Sequence, residues 1–66
     1  MVKFESLKLG DLFHINATDM VVCKKMPDAD EMGRYVYIDD DNNLITRYIS
    51  HNREVRLADK DKKWLE

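Results

Sequence analysis

The chain has little of what staples or punctuates a fold: one cysteine, one proline and two glycines in 66 residues. A lone thiol, Cys23, excludes an internal disulfide. With only His14 and His51 beside it, no zinc set can be assembled from thiols and imidazoles. No apolar run approaches the ~18 residues that a membrane-spanning helix needs. The opening Met1-Val2-Lys3-Phe4-Glu5-Ser6 puts charge where a secretory signal needs an apolar stretch, so we expect a cytoplasmic protein. The sequon Asn16-Ala17-Thr18 has no meaning in that setting. There is no excess of either charge: 13 acidic and 11 basic residues leave a net charge of −2. That balance excludes a chain that grips nucleic acid over a broad basic face, and equally a polyanion mimic. Only local patches of either sign survive.

What remains is apolar and patterned. Hydrophobic residues make up 44% and charged residues 36% of a chain long enough for one domain. A domain of this length buries only about 60% of its unfolded surface. Its expected stability is about 3–5 kcal/mol, and it must come from the core or from a partner.

Phe4 and Leu7 are three apart and suit one short helical turn, which Gly10-Asp11 ends. Five strand-like runs follow: Leu12–Ile15, Met20–Met26, Arg34–Asp39, Leu44–Ile49 and Glu54–Ala58. Asn16–Asp19 and Asp39–Asn43 are turn chemistry, because Asn and Asp bond their own backbone and tolerate left-handed geometry. Pro27 and Gly33 bracket an expected acidic loop containing Asp28, Asp30 and Glu31. Ser50–Arg53 is a short connection. The sum is an all-β domain over residues 1–59, a small five-stranded antiparallel SH3-like barrel, with a charged tail at 60–66. An OB-fold is less suitable, since a turn occupies the place of its helix.

Phe4-x-x-Leu7-x-x-Gly10-Asp11-Leu12-Phe13 resembles the opening of many small accessory proteins of tailed bacteriophages. In these a Leu-x-x-Gly-Asp-x-Phe lead-in precedes a hairpin, an extended strand and a final Val-x-Leu strand, here Val55-Arg56-Leu57. The same lead-in occurs in SH3-like modules of cellular proteins. The acidic stretch 28–31 departs from the pattern. The resemblance implies a context, a small phage product acting on host machinery in the host cytoplasm, and carries over no functional residues.

No sequence pattern supports catalysis. There is no Gly-rich phosphate loop, no Ser-His-Asp order and no paired carboxylates. Asp39-Asp40-Asp41 has the charge of a calcium loop, but Leu44 and Ser50 stand where its glycine and glutamate belong. Cys23 with His14 as base is the one nucleophile arrangement to consider, against the ordinary reading of a thiol in a core strand. We therefore expect no enzyme, no metal and no cofactor.

Binding is the better reading. If Val36 and Ile38 point inward, Tyr35 and Tyr37 form an outward stripe that Arg47 or Tyr48 can join, and exposed tyrosine beside arginine is typical of docking surfaces. Otherwise the tyrosines face the core. Lys24, Lys25, Arg34 and Arg56 supply a second option, a nucleic-acid surface on which bases stack. Trp64 either folds back on the domain or anchors a partner. The expected partner is a host protein, with nucleic acid as the alternative, no membrane, and a homodimer as a way to hide apolar surface a small chain cannot cover alone.

Overall fold

The computed structural model describes residues 1–16 and 21–58. Six antiparallel strands form one sheet: β1 Val2–Lys3, β2 Leu12–His14, β3 Cys23–Ala29, β4 Met32–Ile38, β5 Leu44–Ile49 and β6 Glu54–Leu57, in the order β1-β6-β2-β3-β4-β5. No α-helix occurs among the described residues, and a 3₁₀ turn spans Phe4–Ser6. The domain is all-β, as the strand spacing leads one to expect. The sixth strand is the two-residue β1, which pairs Val2 with Val55 and Lys3 with Glu54.

Chain connectivity forces the sheet to curl. Three strands separate β6 from β5, so a flat sheet would hold them about 19 Å apart at a strand spacing of ~4.8 Å. The link between them is Ser50–Arg53, which spans at most ~17 Å when extended. It is not extended, because the Arg53 N–H donates to the Ser50 carbonyl at 3.1 Å. No ladder joins β5 to β1 among the described residues, so the curled sheet keeps two edges.

Inside the curl, Phe4, Leu7, Phe13, Cys23, Ile49 and Val55 form the core, with Val2, Ile15, Tyr35 and Tyr37 packed against it. Phe4 is its keystone. The Phe4 N–H donates to the Arg53 carbonyl at 2.8 Å, and its ring meets Phe13 edge-on at a centroid distance of 5.4 Å. Beneath the ring lies Gly33. A Cβ at that position would stand 2.4 Å and 2.7 Å from two Phe4 ring carbons, so only glycine admits this packing.

That contact corrects the expectation of a loop between Pro27 and Gly33. Both residues lie in strands, and the turn is reduced to Asp30 and Glu31 between the paired Ala29 and Met32. The register shifts between Met26 and Ala29, leaving Pro27 and Asp28 opposite the single residue Gly33. Proline lacks an N–H for the ladder, and a bulge is where a strand tolerates it.

The other turns follow local chemistry. Gly10 has φ +88°, and the Asp11 carboxylate accepts the Lys8 N–H at 2.8 Å. At the β4–β5 tip, Asp39 Oδ1 accepts the N–H groups of Asp41 and Asn43 at 3.0 and 2.8 Å, while Asn42 takes φ +66°.

Candidate functional site

Cross-strand register divides the sequence-predicted binding residues between two faces, since side chains alternate along a strand. Tyr35 pairs with Lys25 and Arg47, and Tyr37 with Ile45. These share the concave face with Phe13 and Cys23, which pair with each other. Lys24, Val36 and Thr46 lie in one row of the convex face, and Met26, Arg34 and Tyr48 in another. The outward tyrosine stripe is therefore corrected. Tyr35 and Tyr37 face the core, while Val36 and Ile38 take the opposite side. Val36 is still buried, although it lies outside the core cluster. Lys24 and Thr46 flank it on the neighbouring strands.

The concave tyrosines build a cleft. Aromatic contacts run outward from the core: Phe4 on Phe13, Phe13 edge-on to Tyr35 at 5.6 Å, and Tyr35 stacked on Tyr37 at 6.3 Å. Where this series ends, Ile15, Val21, Cys23, Tyr35 and Tyr37 line an opening of about 260 Å³. Both tyrosines are half-buried, with their rings forming a wall that solvent still reaches. Desolvation pushes the Tyr35 hydroxyl above its ordinary value of 10.0, aided by Cys23 and Tyr37 and opposed by Arg47 and Arg53. The hydroxyl is thus neutral at physiological pH and available as a hydrogen-bonding group beside an apolar wall. Exposed Arg47, across the strand pair from Tyr35, supplies a cation at the rim.

Lys25 does not join a surface patch. It is 8% exposed, its ammonium donates to the carbonyls of Phe4 at 3.2 Å and Leu7 at 2.6 Å, and it sits 4.8 Å from the Phe4 ring centroid. Its backbone completes the same junction, with Gly10 N–H donating to Lys25 O and Lys25 N–H donating to Asp11 O. A buried ammonium needs such partners. Lys25 is the tie that holds the N-terminal turn to the sheet.

On the convex face Lys24 and Arg34 lie on the adjacent strands β3 and β4, with Tyr48 directly across from Arg34, while Arg56 lies on β6, beyond β2. The Nε atoms of Arg34 and Arg56 are shielded from water and make no hydrogen bond among the described residues. Trp64 lies outside the described residues.

The arrangement of His14 as base for Cys23 is overturned. Phe13, not His14, faces Cys23. His14 turns to the other side, pairs in register with Arg56, and its Nδ1–H donates to the Val21 carbonyl at 2.8 Å. His51 lies elsewhere, 3.9 Å from Asp28. No group of three metal-binding side chains occurs among the described residues, and no helix there is long and apolar enough to cross a membrane.

Ile15, Val21 and Cys23 complete the lining, although none of them carries a binding signal in the sequence. The alternation that puts Phe13 and Ile15 on one face is the signal that identifies part of this wall. Compared with known proteins, the chain finds no match among family models, curated proteins or solved structures.

Proposed function

We propose that this chain is a non-enzymatic protein-binding module whose cleft at Tyr35 and Tyr37 receives an apolar side chain of a partner protein. The observation that carries this reading is the cleft itself. It is an apolar recess of about 260 Å³ walled by two half-buried tyrosines, with Arg47 across from Tyr35. Tyrosine presents a large, stiff contact area with a polar tip, and arginine adds a charged donor at the rim. A strand meander curled until β5 and β6 are joined by four residues is also the layout of an SH3-like barrel, and we read the fold as one. The Leu7-x-x-Gly10-Asp11-x-Phe13 opening supports a small accessory phage protein that docks on a host protein in the cytoplasm and alters its activity.

The test is capture from a bacterial lysate by the immobilised chain, repeated with Tyr37→Ala and with the convex-face variant Lys24→Glu/Arg34→Glu. The proposal expects a protein that the natural chain and the convex-face variant retain, and that Tyr37→Ala releases. Equal retention by a correctly folded Tyr37→Ala chain would sink it.

A second reading rests on the convex face, where Lys24 and Arg34 of adjacent strands lie near Tyr48. That set suits a nucleic-acid strand, its phosphates on the cations and a base on the tyrosine. DNA or RNA binding with a steep salt slope, abolished by Lys24→Glu/Arg34→Glu, would favour it.

A further inference from the structure

The two edges of the sheet differ in a way that points to a partner. β1 is two residues long, and it occupies the outer edge of β6 at Val55 and Glu54. β5, at the opposite end, offers six residues, and no described strand or turn pairs with its outer edge. The strand itself has no proline, no bulge in its register with β4, and Arg47 as its one charge. Its convex-face side chains include Leu44 and Tyr48, 61% and 59% exposed.

We infer that β5 pairs antiparallel with β5 of a second copy of this chain, about a two-fold axis through Thr46, making one continuous sheet. A two-fold axis perpendicular to the sheet keeps each face on its own side, so the axis passes through a residue. Centred on Thr46, the convex face sets Thr46 opposite Thr46 and each Leu44 opposite Tyr48 of the other copy. The concave face sets Ile45 opposite Arg47. Aromatic–aliphatic and Thr–Thr pairs are favourable cross-strand combinations. Centred one residue later, Arg47 would face Arg47, and like charges directly opposite are destabilising.

A head-to-tail arrangement of β5 against β6 is disfavoured because β1 already fills part of that edge, so the assembly closes at two copies. This edge adjoins the Tyr35–Tyr37 cleft through Arg47, but Thr46 lies on the opposite face, so the Thr46 variants test the dimer without touching the cleft.

Sedimentation equilibrium of the full chain over a range of concentrations tests the inference. The natural chain should reach a dimer and stop there. Thr46→Lys places two cations across the axis at an exposed site and should weaken the dimer about tenfold or more, and Thr46→Glu should do the same. An equimolar mixture of the two variants should recover it as a heterodimer. A natural chain that stays monomeric at all concentrations, an open-ended series of larger species, or a dimer that folded Thr46→Lys leaves intact would each overturn it.

Discussion

The N-terminal segment, residues 1–11, and the β4–β5 hairpin are both held to the body of the sheet, but by different means. The first has little regular pairing of its own and is fixed from within, by Phe4 in the core and Lys25 bonded to two of its carbonyls. The second is a continuous six-pair ladder closed by a self-bonding turn, yet much of its outer strand lies open. One region depends on long-range burial, the other on local chemistry. Substitutions should therefore spread their effects from the first and confine them in the second.

The largest effect is expected at Phe4. Truncation to alanine removes a fully buried ring that touches Phe13 and sits on Gly33. Large-to-small changes of this kind cost about 3–5 kcal/mol. A chain of this size has a total stability of about the same amount. Phe4→Ala should leave the protein largely unfolded, with its strand signal lost in far-ultraviolet circular dichroism. A cooperative denaturant transition close to that of the natural chain would show that the N-terminal segment is not anchored by burial.

Lys25→Met sharpens the same point. Methionine keeps much of the stem's packing but leaves the Leu7 carbonyl without its 2.6 Å donor, while Phe4 O still accepts the Leu7 N–H. An unsatisfied buried acceptor costs about 1–3 kcal/mol, and the loss should appear as a lower urea midpoint at unchanged slope. Were Lys25 instead a surface binding residue, the midpoint would not move.

How much of this was legible in the sequence follows the same division. Gly10-Asp11 and Asp39–Asn43 were readable because their hydrogen bonds close within a few residues. Four of the five main strands were readable from their β-rich and alternating runs, whereas β3 runs Cys23–Ala29 rather than Met20–Met26, so that Val21 and Val22, which signalled it, precede it. Pro27, Gly33 and Lys25 were not, because each takes its role from a distant partner: Gly33 from the Phe4 ring, Pro27 from the bulge opposite Gly33, and Lys25 from carbonyls 18 and 21 residues away. A proline and a glycine flanking acids look like a loop until the ring that needs the glycine is in place. The tyrosines failed for a related reason. Alternation fixes that Tyr35 and Val36 oppose each other, but not which of them the core takes.

A smaller and local effect is expected at the hairpin. Asp39→Ala removes the acceptor of two backbone N–H groups at an exposed tip. Exposed bonds of this kind contribute about 1 kcal/mol between them. Amide hydrogen exchange should quicken at residues 39–43 and remain unchanged around Phe4, Leu7 and Lys25. Faster exchange at both places would mean that the two regions are coupled, and the contrast between them would fail.

The smallest effect joins the regions at Tyr35, which contacts Phe13 on the core side and pairs with Arg47 of β5. Desolvation, with smaller contributions from Cys23 and Tyr37, raises its hydroxyl above 10.0 in the native chain. The unfolded chain therefore loses this proton first. Below pH 10 the contribution to stability is fully present. As pH rises above 10 the native state holds a proton that the unfolded state has released, so stability falls until the native hydroxyl also ionises. Other tyrosines and the lysines titrate in the same range, so the quantity to measure is the difference between the natural chain and Tyr35→Phe. Urea midpoints on a pH series should differ by a constant below pH 10, and the natural chain should then lose stability more steeply than the variant. Parallel curves through the alkaline range would mean that Tyr35 ionises as a free tyrosine does, and that the inner wall of the cleft is open to water.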